Sequence, residues 1–303
     1  MPVRPVPERA GVTLSSVSDF SNAVHAPQTE AAESQPLPLT GERTVPGIAE
    51  ENYWYRRHEV VYEQLREHCV GRVVLEAGSG EGYGANMIAE VAATVIALDY
   101  DASAAAHVLE QYPRVGMLRG NLAQLPFADG SVDVVVNFQV IEHLWDQGQF
   151  LDECFRVLTP GGILLISTPN RITFSPGRDT PLNPFHTREL NAEELAELVE
   201  DAKFTVDTIT GVHHGDTLRA LDAKHGGSFI DAQIERALAG ELWPADLTAD
   251  VAAVTTADFE IDPSDMAGSL DLVAIAVKPS TSTFHLESAQ QAGRQENKHP
   301  VNG

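Results

Sequence analysis

Apolar residues in this chain come in short unbroken runs, separated by stretches with helical spacing. Residues 73–76, 94–99, 115–119, 132–138 and 163–167 are such runs and read as strands. Runs without polar alternation belong to strands covered on both faces, as in a parallel sheet. Between them, residues 84–91, 102–111 and 147–158 place apolar side chains three and four apart, which predicts helices. Asn191, followed by Glu193 and Glu194, has the form of an N-cap with an acidic first turn, so residues 192–202 should form another helix. Residues 204–209 and 270–277 supply two further strands, giving a seven-stranded α/β sheet with helices on both faces.

Three segments fall outside that rhythm. Residues 1–38 are rich in Pro, Ser, Ala and Glu without hydrophobic period, and the tail over 280–303 reads the same way. Both are expected to be disordered, leaving 39–279 as one domain. Residues 213–267 are longer than an ordinary connection, and 230–239 has helical spacing. We expect a helical cap inserted over the ligand edge of the sheet.

Charge narrows the partners. Lys plus Arg number 20 against 44 Asp plus Glu, a net charge of −24. Such a surface repels phosphate backbones and anionic membranes, so neither nucleic acid nor a membrane is expected as partner. Cys69 and Cys154 fall in predicted helices and read as buried free thiols. The first residues lack the apolar core of a signal peptide, and no run approaches the ~20 apolar residues that span a bilayer. A cytoplasmic protein is expected, and a homodimer is compatible with the sequence.

The candidate chemistry starts where the first strand breaks into Glu76-Ala77-Gly78-Ser79-Gly80-Glu81-Gly82. Alternating glycines allow close backbone approach to a ligand, and the following helix turns its N–H groups toward it. Gly80, Gly82 and Ala85 fit a dinucleotide fingerprint loosely, but the glycines begin two residues too early and an acid ends the strand. Asp99 closes the second strand, where a carboxylate accepts both ribose hydroxyls of a nucleoside.

Acid-x-Gly-x-Gly-x-Gly in this setting resembles motif I of the class I S-adenosylmethionine methyltransferases. Asn121-Leu122 after the third strand, Asp129-Gly130-Ser131-Val132-Asp133 before the fourth and Pro160-Gly161-Gly162 before the fifth follow the family's order. The resemblance implies a Rossmann-like class I fold and S-adenosylmethionine as methyl donor. It assigns Glu76, Gly78, Gly80, Gly82, Asp99, Asn121, Leu122 and Gln139 to the cofactor.

Methyl transfer needs the acceptor aligned with the methyl group and relieved of a proton. Glu142-His143 follows the fourth strand at the carboxyl edge; His143 is the candidate base, and Glu142 orients a substrate or neighbour. The loop after the fifth strand carries Asn170, Arg171, Asp179 and His186 among Pro and Gly, a mixture suited to a hydroxyl-rich ligand. Tyr53, Trp54, Arg56, Trp145, His213 and His214 complete the expected acceptor wall, with Glu42 and Arg43 in the lead segment near the ligand. A divalent metal such as magnesium is compatible with Glu142, Asp179, Asp216 or His186 but not demanded. Adjacent His213 and His214 on a strand point to opposite faces and make a poor chelating pair.

The segments 41–47, 51–63, 135–147 and 167–190 together resemble a narrower group, the actinobacterial sugar O-methyltransferases of polymethylated polysaccharides. That resemblance implies a small carbohydrate acceptor, a short and partly O-methylated mannoside methylated at its 1-hydroxyl. The residues alone leave open a C- or N-methyltransferase of small molecules and a non-catalytic S-adenosylmethionine-binding protein.

Overall fold

The strands assemble into one eight-stranded sheet in the order β3-β2-β1-β4-β5-β8-β6-β7. This computed structural model describes residues 44–178, 180–240 and 242–280. Both terminal segments expected to be disordered lie outside them, apart from Ser280, as do Glu42, Arg43 and Asp179.

Helix α1 (Asn52–Leu65) precedes β1 (Val73–Ala77), and the chain then alternates through α2 (Tyr83–Ile88), β2 (Thr94–Asp99), α3 (Ala102–Gln111) and β3 (Gly116–Arg119). After β4 (Val132–Phe138) come α4 (Gln147–Val157) and β5 (Leu158–Pro169), followed by the short α5 (Arg171–Phe174) and α6 (Ala192–Asp201). Strands β1 to β5 pair in parallel. Asn191 caps α6 as expected, closing a capping box with Glu194.

The last third departs from the expectation. β6 (Thr205–His214) runs longer than its apolar core, and α7 (Asp216–Lys224), α8 (Phe229–Ala239) and α9 (Ala245–Ala253) follow. The chain then returns as β7 (Phe259–Asp262), which pairs antiparallel with β6 before β8 (Asp271–Val277) enters between β5 and β6. The inserted region is therefore helical but also supplies an eighth strand. With one apolar face and only four residues, β7 carries too weak a period to read as a strand.

Alternate strand residues feed two cores. Val74, Val134, Val136, Leu165 and Val273 face α1, α2 and the inserted helices, while Leu75, Val135, Leu164, Ile166 and Leu272 face α4 and α6. Cys69 and Cys154 are free and buried, as expected. No helix among the described residues is long and apolar enough to cross a membrane.

Helix α1 is fixed to the sheet by a buried ion pair. The Arg57 guanidinium grips both carboxylate oxygens of Asp271, each at 2.6 Å, and donates to the Leu270 carbonyl at 3.0 Å. Arg57 is 3% and Asp271 0% exposed, so neither charge has water as an alternative partner. Arg57→Ala should cost about 3–5 kcal/mol in urea unfolding, because it strands a buried carboxylate. The double variant Arg57→Met with Asp271→Leu should recover most of that loss. Equal destabilisation of single and double variants would show that the pair matters through packing rather than charge.

Candidate functional site

A cavity of about 550 Å³ opens at the carboxyl ends of β1, β2 and β4. Its floor is the loop after β1. Gly80 has φ +53, and a Cβ built there would meet no atom within 4 Å, so it would project into open space. Asp99 Oδ2 accepts from the Gly80 N–H at 2.9 Å and Oδ1 from the Asp101 N–H at 2.9 Å, which locks the loop beside the carboxylate. Gly82 does not reach the cavity; its missing Cβ leaves room for Val108.

Beneath this loop lies Glu76, 1% exposed. Tyr62 donates to Oε1 at 2.7 Å, while Oε2 is buried without a partner. Burial pushes the carboxyl up to about 8. Tyr62 can reach it only because Gly84 has no side chain: a Cβ there would come within 2.2 Å of the Tyr62 ring. A buried acceptor lacking a donor beside a cavity fits a ligand bearing positive charge. The nucleoside contact expected of Asp99 and the open cradle at Gly80 fit the same ligand. Gly78, Gly80, Asp99, Leu122 and Gln139 line the cavity, with Glu76 buried below them, and these are the residues that could hold S-adenosylmethionine. Gln139 adopts φ +56, an uncommon conformation for a non-glycine residue, and its side chain donates to Ser167 Oγ at 3.3 Å. Asn121 does not line the cavity, and its Oδ1 is taken by the Ala123 N–H at 3.0 Å.

The opposite wall is built on a short turn after β4, Ile141–His143. The Glu142 carbonyl accepts from the Thr187 N–H at 2.7 Å, and that anchor carries the 184–187 loop against the cavity. His143 and His186 meet as a result, rings edge to face at 4.8 Å. The Phe185 carbonyl lies 3.1 Å from His143 Nδ1. A carbonyl can only accept, so Nδ1 carries the proton and Nε2 is the basic nitrogen of the neutral ring. Glu142 itself is buried beneath the wall, with Oε2 accepting from Thr168 Oγ1 at 3.0 Å; burial raises its carboxyl to about 8. Glu142, His143 and His186 each offer one donor atom, all within 4.8 Å of one another.

Of the other expected acceptor residues, Trp145 lines the cavity mouth and is 94% exposed. The rest lie elsewhere among the described residues. Tyr53 is wholly buried and shares a hydrogen bond of 2.7 Å with His214, whose other nitrogen pairs with Asp222 at 2.9 Å. Trp54 packs on the core, and Arg56 pairs with Glu59. His213 sits in the β6–β7 ladder with a buried, unpartnered Nε2. Asn170 is buried, tying the end of β5 to Met266 and Ser269. Arg171 pairs with Glu194 at 3.0 Å, and Asp216 pairs with Arg219 on α7. No described residue of the inserted region 213–267 lines the cavity; the region packs on α1 instead, through Tyr53 against Phe229 and Phe259.

Thr44, His58, Tyr83, Tyr100 and Phe138 are among the lining residues that were not anticipated as site residues. His58 lies four residues before Tyr62 on the same face of α1, and desolvation lowers its imidazole to about 4, so it stays neutral. The helical period carried that signal. Tyr53, Arg57, Val61 and Leu65 are one stripe and turn into the core; His58 and Tyr62 are the next stripe round.

Comparisons with known proteins point the same way. The family profile described as a methyltransferase domain matches residues 75–166. The chain is 68% identical over 246 residues to a protein of Mycolicibacterium smegmatis named a probable S-adenosylmethionine-dependent methyltransferase, covering 80% of this chain and 96% of that one. A protein of Mycobacterium tuberculosis with the same description is 61% identical over 267 residues, or 87% of this chain and 97% of the relative. Among solved structures, the (4+2)-cyclase SpnF is similar with a TM-score of 0.52 at 19% identity, over 90% of this chain and 100% of that one. That likeness is one of fold, and a cyclase on such a fold shows that the sheet alone does not choose the chemistry.

Gly80→Ala should weaken S-adenosylmethionine binding about tenfold or more in titration calorimetry, with a left-handed alanine costing only roughly 1–2 kcal/mol of stability. Gly84→Ala should instead lower stability and affinity together, because it drives Tyr62 from Glu76. Unchanged affinity in Gly80→Ala would remove the cofactor from this loop.

Proposed function

The chain belongs to the S-adenosylmethionine-dependent methyltransferases, and on that premise we propose that it methylates a sugar hydroxyl with His143 as general base. The observation that carries the reading is the fixed tautomer of His143. With its proton held on Nδ1 by the Phe185 carbonyl, the neutral ring keeps Nε2 as its basic nitrogen, and His143 lines the cavity. S-adenosylmethionine, when bound, supplies an electrophilic methyl group on a sulfonium that departs as a neutral thioether. The chain's own residues then have three tasks. Glu76, Gly78, Gly80 and Asp99 orient the donor. The 184–187 loop aligns the acceptor. His143 takes the proton from the acceptor hydroxyl as its oxygen bonds to the methyl carbon.

A carbohydrate acceptor is supported by the mouth of the cavity. Trp145 at 94% exposure and Phe185 at 46% present aromatic faces to solvent beside imidazole and hydroxyl groups. Exposed aromatic faces ringed by polar groups suit the C–H faces and hydroxyl edges of a pyranose. The resemblance of the lead, turn and loop segments narrows the acceptor to a short, partly O-methylated mannoside, methylated at the 1-hydroxyl. A cytoplasmic setting and a homodimer belong to the same proposal.

Labelled S-adenosylmethionine with a panel of mannosides tests it. His143→Ala should lower turnover about 10²–10⁴-fold while leaving cofactor affinity within twofold. Run in EDTA and with added magnesium, the assay also asks whether Glu142, His143 and His186 act as a ligating set. Unchanged turnover in EDTA would assign them to hydrogen bonding and base chemistry alone. A protein that binds the cofactor yet methylates no sugar would contradict the acceptor class.

A further inference from the structure

Beside the main cavity, and sharing Thr187 with it, lies a second hollow of about 70 Å³ lined by Arg171, Arg178, Thr180, Arg188 and Glu189. That is room for roughly five waters, or for one edge of a sugar ring. Three guanidiniums around one small hollow run against the composition of a chain with 20 cations and a net charge of −24. Glu194 holds Arg171 in place at 3.0 Å. Among the described residues, Arg178 and Arg188 have no carboxylate partner.

A second observation points to a ligand. Glu189 is 3% exposed, and its Oε1 accepts from His186 Nδ1 at 2.6 Å, but Oε2 is buried with no partner. The Asn183 amide donates to His186 Nε2 at 3.1 Å, so the proton on that ring sits at Nδ1, facing Glu189. One carboxylate therefore supports the His186 wall of the main cavity with one oxygen, while the residue lines the hollow and its other oxygen is buried without a donor.

The two kinds of group constrain what fits. Guanidiniums only donate and an ionised carboxylate only accepts, so the ligand must do both. Hydroxyl groups do. A phosphate or sulfate would satisfy the arginines but set like charge against Glu189 and leave its oxygen unpaired. We propose that this hollow is a second acceptor subsite, taking the hydroxyls of the sugar unit linked to the one that receives the methyl group. The assignment rests on the carbohydrate reading above and extends it: the acceptor has at least two units, one at His143 and the next between the arginines and Glu189. Thr187 lines both spaces, so the two adjoin.

The test compares a monomannoside with a trimannoside on wild-type protein, Arg178→Ala, Arg188→Ala and Glu189→Gln. Methyl transfer is measured beside sugar binding by saturation-transfer NMR, with cofactor affinity as control. Both arginines are exposed, so their loss should leave the fold intact. Wild-type protein should prefer the trimannoside, and the ratio of kcat/KM, trimannoside over monomannoside, should fall about tenfold or more in each arginine variant. Glu189→Gln, which keeps an oxygen for His186, should move the same ratio in the same direction. An unchanged ratio would overturn the subsite while leaving sugar methylation standing. No binding or methylation of any sugar by wild-type protein would bring down the acceptor class and the subsite with it. Competition by inorganic phosphate against the trimannoside, abolished by Arg188→Ala, would make the hollow an anion site and overturn the polyol assignment.

Discussion

The site depends on one carboxyl placed where it is costly. Glu76 is the next-to-last residue of a strand buried on both faces; Tyr62 donates to one of its oxygens, the Ala85 N–H also favours the charged form, and Oε2 is buried without a close partner. Burying such a group is unfavourable unless it is neutral or compensated by positive charge. Much around it serves that arrangement. Gly84 clears the path for Tyr62, and Tyr62 donates to Oε1. Positive charge on a ligand above the loop would offset that cost, which is the role proposed for the sulfonium nucleoside.

A second dependency joins the two halves of the molecule. Helix α1 turns His58 and Tyr62 toward the cavity and Tyr53, Arg57, Val61 and Leu65 into the core. The Arg57–Asp271 pair fixes its rotation against β8, and the inserted helices close over its far flank. The insertion thus reaches the site indirectly, by setting the helix that sets Tyr62. A parallel logic holds on the other wall, where the main chain of Glu142 anchors the loop that brings His186 to His143.

The sequence was most legible where one local rule decides the outcome. The bounds of β2, β4 and α3, and the cap at Asn191, followed from apolar runs and side-chain capping. The glycine loop and Asp99 meet at the cavity, as their places at the ends of β1 and β2 implied. Acceptor residues were less so, since their positions depend on contacts distant in sequence. Tyr53 and His214 looked like surface chemistry but satisfy one another in the core, across 161 residues. Asn170 looked like a ligand group and proved to be a strut. Glu189 drew no notice, because an acid in a polar loop gives no sign that one of its oxygens will be buried and unpaired.

Proton release measured by titration calorimetry tests the account at its centre. Burial pushes the Glu76 carboxyl up to about 8, which favours its protonated form at pH 7. A bound cation favours the carboxylate, and binding must then expel the proton. Titrating S-adenosylmethionine into wild-type protein at pH 7, in buffers of different ionisation enthalpy, should show close to one proton released. Affinity should rise between pH 6 and 8 and level off above, and Glu76→Gln should abolish both effects. Binding that releases no proton, or that releases the same amount in the glutamine variant, would contradict the role given to this carboxyl.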